Sequence, residues 1–110
     1  MTTTELSRIA VNEVLLVGRL SGLVEERGLP SGDSIWTWRL VVDRPKGERG
    51  AKIDTIDCVT YSAALGRRAV SWSDNQFLEV SGRLRRRFFR ANGAPASRYE
   101  VECLKAKRVG

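Results

Sequence analysis

Apolar residues fill both alternating phases of segment 12–20 (NEVLLVGRL), a short β-rich run near the start of the chain. Val14 and Leu16 lie in one phase, and Leu15 and Val17 lie in the other. A strand with one face in water normally alternates apolar and polar residues. This segment is therefore predicted to be a strand that is covered on both faces.

Two further segments, 35–43 (IWTWRLVVD) and 53–61 (IDTIDCVTY), are also predicted to be strands. A turn rich in glycine, proline and aspartate precedes the first of them at 27–33. Trp36 and Trp38 share the phase of the aliphatic residues that follow them. Trp38 is therefore expected in the core, whereas Trp36, near the strand end, either packs there or contacts a ligand.

The second half of the chain predicts one helix and two long strands. Segment 62–72 is the only plausible helix, and Gly66 weakens it. A strand at 76–90, a loop at 91–96 and a strand at 97–109 follow.

The order of these elements predicts the fold. Three strands, one short helix and two strands fit an all-β, five-stranded OB-fold barrel, with its helix between strands 3 and 4. A five-stranded sheet with a helix in another topology is the alternative. The chain has 110 residues, which suits one domain. That domain is predicted at 11–109, after a flexible polar arm at 1–10.

Composition excludes several classes of chemistry. Lys plus Arg is 19 and Asp plus Glu is 13, which gives a net charge of +6, and there is no histidine. Without histidine there is no Ser–His or Cys–His pair and no histidine metal ligand. We therefore expect no enzyme activity, no metal and no cofactor. The excess of positive charge favours a polyanionic partner.

Cys58 and Cys103 lie far apart in sequence and match no metal or redox motif. They are expected to be free and buried in a reducing cytosol, and a bridge between neighbouring strands is the alternative. No apolar run approaches the roughly 18 residues of a membrane span, and residues 1–10 lack a signal-peptide core. A cytoplasmic, nucleoid-associated location is expected.

The motif GRLRRRFFR, at 82–90, places many charges beside two large rings. On a strand, Arg83, Arg85, Arg87 and Phe89 share the outward phase, with neighbours in the row roughly 7 Å apart. Guanidinium groups can bind phosphates while a base stacks on the ring, as a single-stranded nucleic acid requires. A solvated arginine edge that discourages aggregation is the alternative, but it leaves the ring unexplained.

The opposite phase of the same strand is predicted to enter the barrel. Leu78, Val80 and Leu84 lie in this phase, and Phe88 can point inward with them. Gly82 shares the phase, where it would allow a bend or a close approach of another backbone.

Further contacts to a nucleic acid are predicted on strands two and three. Tyr61, at the end of strand three, is either a stacking platform or a ring packed on the helix start. Arg39 faces outward and is expected to neutralise Asp57 across the sheet. The loop between these strands supplies a second basic patch, consisting of Arg44, Lys46, Arg49 and Lys52.

The ordered segments NEVLLVGRLSG, WRLVVDR, CVTYSAAL, LEVSGRLRRRFF and SRYEVE resemble bacterial single-stranded DNA-binding proteins. The resemblance covers residues 11–108. It implies an OB-fold that coats single-stranded DNA without catalysis in replication, repair or recombination, as a homotetramer or dimer. It also implies that Tyr61 and Phe89 stack on bases and that Leu15 and Val17 contact a second subunit.

The chain departs from the family pattern at several positions. Thr55 stands where the family usually has tryptophan, and residues 44–46 lack the family's other tryptophan. The family's polar linker and acidic tip are not present in the 110 residues, so no tail-mediated recruitment of repair enzymes is expected. These departures leave two alternatives, which are a primosome-type OB module that docks protein partners and a binder that prefers RNA.

Overall fold

The computed structural model describes residues 9–110, so most of the predicted arm lies outside the described residues. The elements in chain order are β1 (Val14–Gly28), β2 (Ser34–Asp43), β3 (Ile53–Thr60), α1 (Ala63–Ala69), β4 (Phe77–Ala91) and β5 (Ala94–Arg108). The strands form a closed barrel in the order β1-β2-β3-β5-β4. The predicted five-stranded barrel, with a short helix between strands 3 and 4, is confirmed.

The first strand is longer than predicted and bends in the middle. Residues 14–19 pair with β4, whereas residues 25–28 pair with β2 alone, so each half of β1 has a different set of neighbours. The register with β2 shifts between Ser21 and Glu25. Gly22 lies within this shift with φ 82°, a conformation that suits glycine.

One hydrophobic core fills the barrel. Leu20, Leu40, Leu78 and Val80 are fully buried because their phase of each strand points inward. Trp38 and Trp72 meet edge to face with ring centroids 5.3 Å apart. No helix within residues 9–110 has the length and apolar character to cross a membrane.

The helix packs on the barrel through a contact that requires glycine. Ser62 caps α1 by accepting a hydrogen bond from the backbone N–H of Leu65 at 3.2 Å. Gly66 lies directly against the Trp36 ring, where a Cβ would overlap the indole. Trp36 is accordingly buried in the core, which decides between its two predicted positions.

A β-bulge separates the barrel part of the β4–β5 hairpin from its outer part. Ser81 pairs with Lys105 and Gly82 pairs with Cys103, so Leu104 is the extra residue on β5. The carbonyl oxygen of Glu102 comes so close to Gly82 that a Cβ would collide with it. Of the two roles predicted for Gly82, a bend or a close approach of another backbone, the structure shows the close approach.

Beyond the bulge the hairpin leaves the barrel and becomes a two-stranded ribbon, which we call the ribbon (residues 85–100). The ladder between β1 and β4 ends at Gly82, and the Asn12 side chain extends it by hydrogen bonds to the backbone N–H and C=O of Leu84, at 2.8 and 2.7 Å. Past this point no strand in residues 9–110 pairs with β4 on the side opposite β5. Asn92 and Gly93 close the ribbon with positive φ values of 52° and 78° in a tight turn.

The inward prediction for Leu84 is wrong. Leu84 is 44 % exposed, and Phe88, which shares its phase, is 72 % exposed. Both side chains lie on a face of the hairpin that the barrel does not cover. Leu78 and Val80, in the same phase but before the bulge, are fully buried.

Candidate nucleic-acid interface

Tyr61 is held at the junction of β3 and α1. The preceding Thr60 is buried and donates a hydrogen bond to the carbonyl of Cys103 on β5 at 3.0 Å. The following Ser62 is the helix cap, and its N–H donates to the Thr60 hydroxyl at 3.2 Å. Both neighbours of Tyr61 are therefore fixed, while its own side chain is 56 % exposed and available for stacking.

Tyr61 faces the arginine row of the ribbon across a shallow groove. The groove has a volume of about 250 Å³ and is lined by Val59, Tyr61, Arg85, Arg86, Arg87, Glu100 and Glu102. We call it the Tyr61 groove. It places one exposed ring beside guanidinium groups from a different strand, which sequence spacing alone could not establish.

The predicted row on β4 is partly engaged by acidic partners. Glu102, opposite on β5, accepts hydrogen bonds from Arg83 and from Arg85, each at 3.1 Å. The hydrogen bond from Arg83, supported by Arg85, holds the pKa of Glu102 below its ordinary value although partial burial acts in the opposite direction. Arg87 makes no ion pair with any described residue, so it is the member of the row that is free for an anion.

Phe89 completes the row near the tip of the ribbon. Its ring is 39 % exposed, and the Arg98 guanidinium lies 5.9 Å from its centroid. A cation over one ring face leaves the remaining exposed surface of the ring open to a base.

The two predicted arginines on β2 and its loop also have acidic partners. Arg39 contacts Asp57 at 3.4 Å across the sheet, as predicted. Arg44 forms a bidentate pair with Asp54, with the shortest N···O distance at 2.8 Å, and this hydrogen bond lowers the pKa of Asp54.

The remaining basic residues of the loop have no such partners. Lys46, Arg49 and Lys52 are exposed, and none forms an ion pair within residues 9–110. The loop is closed at its base by a hydrogen bond from the Arg44 N–H to the Lys52 carbonyl at 2.9 Å. Its free charges therefore belong to these three side chains rather than to Arg44.

Sequence reasoning missed a second aromatic cluster on the other face of the ribbon. The Arg86 guanidinium lies 5.1 Å from the centroid of Phe88 and 5.7 Å from that of Tyr99. Tyr99 is 59 % exposed and sits directly opposite Arg86 in the strand ladder. The adjacent FF pair was the available signal, because two successive rings on an uncovered strand must face both ways.

A larger cavity opens at the mouth of the barrel, between the second half of β1 and the ribbon. It has a volume of about 530 Å³, and we call it the barrel-mouth cavity. Its wall carries four arginines and four carboxylates, which are Arg27, Arg39, Arg87, Arg98, Glu25, Glu26, Asp57 and Glu100. This surface is nearly balanced in charge, unlike the chain as a whole.

The predicted subunit contact lies on a different part of the barrel. Leu15 is 67 % exposed and Val17 is 50 % exposed, on the outer face where β1 pairs with β4. The bulged Leu104 is 53 % exposed, and its neighbour Lys105 pairs with Ser81, the partner of Leu15. Three large aliphatic side chains thus share a surface beside the start of the arginine row, because Ser81 precedes Arg83 in the same outward phase of β4.

Comparisons with known proteins place the chain in a family. The model of the single-strand binding protein family matches residues 11–109. Single-stranded DNA-binding protein 3 of Listeria innocua is 32 % identical over 84 residues, which cover 74 % of this chain and 52 % of that protein. Single-stranded DNA-binding protein 1 of Staphylococcus aureus is 38 % identical over 81 residues, 70 % of this chain and 47 % of that protein.

The chain thus spans about half the length of the curated relatives that it matches. A solved structure described as Plasmodium falciparum SSB in complex with ssDNA has a TM-score of 0.74 at 21 % identity, covering 91 % of this chain and 94 % of that one. This likeness confirms the OB-fold. Because the family model matches nearly the whole chain, the protein belongs to the single-strand binding protein family.

Proposed function

We propose that this chain binds single-stranded DNA without catalysing a reaction, through the Tyr61 groove and the arginine row of the ribbon. The observation that carries the proposal is the convergence of Tyr61, Arg85 and Arg87 on one groove. A single strand offers phosphates to the arginines and a flat base to the ring, and no duplex has to be opened. The family and the names of its relatives support the same ligand.

The ion pairs of the surface determine how binding should depend on salt. Arg83 and Arg85 must exchange or share Glu102 when a phosphate arrives, and Arg39 must do the same with Asp57. Arg87 and the free lysines and arginine of the 44–52 loop need no such exchange. We expect a smaller salt dependence than the number of arginines suggests, because each pre-existing pair offsets part of the gain.

The test is a titration of labelled oligo-dT with protein at two salt concentrations, followed by fluorescence anisotropy. A label on the DNA is preferable because Trp36, Trp38 and Trp72 are each at most 5 % exposed, so stacked bases would not quench them directly. Tyr61→Ala and Phe89→Ala should each weaken binding by about 1–3 kcal/mol. Arg87→Ala should also reduce the salt slope by about 0.7, the value for one phosphate contact on a single strand.

Arg67→Ala is the matched control, since Arg67 is an exposed arginine on α1 that does not line the groove. It should leave the affinity close to that of the wild type. Equal losses in Arg67→Ala and Arg87→Ala would mean that binding is diffuse attraction by net charge. Absence of binding to oligo-dT at low salt would rule out the proposed function.

We also propose that the chain forms a homo-oligomer through the face that carries Leu15, Val17 and Leu104. Large aliphatic side chains exposed together on one strand pair favour contact with a second apolar surface. A second copy of the same chain can supply that surface by two-fold symmetry. Leu15, Val17 and Leu104 do not line the Tyr61 groove, so a contact centred on them would leave the groove open in the oligomer.

A further inference from the structure

The barrel-mouth cavity contains a carboxylate that is positioned to read a base. We infer that Glu100 binds a nucleobase there and that it gives the protein a preference for bases with an exocyclic amino group, namely cytosine, adenine or guanine, over thymine. This role rests on the proposed function and adds a base preference to it. Single-strand binding by phosphates and stacking alone would show little such preference.

Glu100 is buried without a partner. Only 5 % of the residue is exposed, and no hydrogen bond or ion pair among residues 9–110 involves its carboxylate, whose oxygens are open to the cavity rather than fully enclosed. Thr60, the other buried polar residue, has its hydroxyl satisfied by the Cys103 carbonyl. A carboxylate that lines a cavity and lacks donors from the protein can accept hydrogen bonds from a ligand, so a ligand that supplies N–H groups at this position would be bound favourably.

The position of Glu100 suits a base rather than a phosphate. Glu100 and Arg87 line both the barrel-mouth cavity and the Tyr61 groove. The volume of the cavity, about 530 Å³, lies within the range of small-ligand sites. Arg39 and Arg98 in its wall can hold the flanking phosphates, while a base enters between them toward Glu100.

The donor and acceptor pattern at this site determines the preference. An ionised carboxylate only accepts hydrogen bonds, and the guanidinium of Arg87 only donates them. Cytosine offers an amino group at N4 for the carboxylate, together with ring acceptors for the arginine. Thymine presents a carbonyl oxygen at the corresponding position, and its one donor on this edge, N3–H, is flanked on both sides by carbonyl oxygens that the carboxylate repels.

The other acidic residues of the cavity cannot replace Glu100 in this role. Asp57 is contacted by Arg39 at 3.4 Å, and Glu26 accepts a hydrogen bond from Ser34 at 3.0 Å. Glu25 is exposed at the rim, where water competes for its hydrogen bonds. The unpaired and buried carboxylate is therefore the one with the most to gain from a base.

The experiment compares oligo-dC with oligo-dT of equal length at mildly alkaline pH, using the wild type, Glu100→Gln and Asp33→Asn. The wild type should bind oligo-dC more tightly by at least about fivefold, the lower end for one good base contact. Glu100→Gln, whose amide both donates and accepts, should bind the two oligomers about equally. Asp33→Asn removes one negative charge in the exposed β1–β2 turn and should keep the preference.

A ligand variant makes the test independent of the folding of Glu100→Gln. Oligomers of N4,N4-dimethylcytosine lack the amino protons, and the wild type should bind them no better than oligo-dT. Equal wild-type affinity for oligo-dC and oligo-dT would overturn the base-reading role and leave the proposed function intact. A preference that survives in Glu100→Gln would overturn the assignment to this residue, and failure to bind either oligomer would overturn the proposed function itself.

Discussion

Glu102 controls how much positive charge the arginine row offers to a ligand. It lies between Arg83 and Arg85 and accepts a hydrogen bond from each. Arg83 and Arg85 bond to different oxygens of Glu102, so in Glu102→Gln only one of them keeps a neutral acceptor, because the amide nitrogen donates, and both lose the opposing charge. We expect tighter binding of oligo-dT and a salt slope that is steeper by up to about 0.7 for each arginine that gains a phosphate.

The same residue predicts part of the acid sensitivity of the fold. The folded-state pKa of Glu102 lies below its ordinary value of 4.5. The pairing therefore stabilises the folded state fully above that value, and the stabilisation is lost as the pH falls through the lowered pKa. Urea unfolding at a series of pH values should show a shallower acid loss in Glu102→Gln than in the wild type. Identical pH profiles for the two proteins would show that the pair contributes nothing to stability.

The two cysteines should be chemically inert in the folded protein. Cys58 and Cys103 are free, and each is 1 % exposed. The neighbouring Cys103 thiol, together with burial, raises the pKa of Cys58, so the thiol stays neutral at physiological pH. Dithionitrobenzoate should therefore react with neither cysteine until the protein unfolds. Reaction of either thiol at low denaturant, before the circular dichroism signal is lost, would contradict this expectation.

At the scale of elements, α1 is placed by a glycine that its own helix propensity disfavours. Replacing a helical glycine with alanine normally stabilises a protein by about 1 kcal/mol. At Gly66 the added methyl group would overlap the Trp36 ring, which is buried and cannot move away. Gly66→Ala should thus destabilise the protein by about 1–3 kcal/mol.

Gly28→Ala is the control for this substitution. A Cβ at Gly28 meets no heavy atom within 4 Å, and its φ lies outside the left-handed region. Thermal unfolding should show little change for Gly28→Ala and a clear decrease in Tm for Gly66→Ala. A stabilised Gly66→Ala variant would mean that the helix can shift away from the barrel at little cost.

The order of the elements could be predicted from the sequence because apolar and polar residues alternate along each strand, and turn residues separate one strand from the next. It missed the second half of β1, since residues 21–28 (SGLVEERG) have no regular alternation. That half is a strand because it pairs with β2 through the β1–β2 hairpin. This part of β1 is a strand because β2 pairs with it, and not because its own residues alternate between apolar and polar.

Leu84 and Phe88 show a second limit of pattern reasoning. Alternation assigns each side chain to a face, but it does not say whether another element covers that face. Coverage ends where β1 stops pairing with β4, so Leu84 and Phe88 are exposed although they share the phase of the buried Val80. Likewise, Glu102 is 17 to 19 residues from its arginine partners, and only the hairpin register brings them together.

At the scale of the whole molecule, two surfaces of different character lie on different parts of one barrel. The Tyr61 groove and the ribbon combine rings with arginines, whereas Leu15, Val17 and Leu104 form an aliphatic surface. If the second surface joins copies of the chain, each copy keeps its own groove. Loss of assembly should then shorten the length of DNA that one particle binds. The contacts that each subunit makes through its own groove should change little.

Val17→Asp tests this arrangement, because a charge on the aliphatic surface cannot be buried against a second copy without a large penalty. Light scattering should give the wild type a mass that is a multiple of 12.3 kDa and should give Val17→Asp a mass near 12.3 kDa. The control is Val70→Asp, which introduces the same charge at a similarly exposed valine at the end of α1 and should leave the mass unchanged.

Affinity for an oligo-dT just long enough for one groove should fall little in Val17→Asp, since Tyr61 and Arg87 are untouched. A wild type that remains at 12.3 kDa at high concentration would refute the subunit contact, and a large loss of short-oligomer affinity in Val17→Asp would show that the groove needs the second subunit.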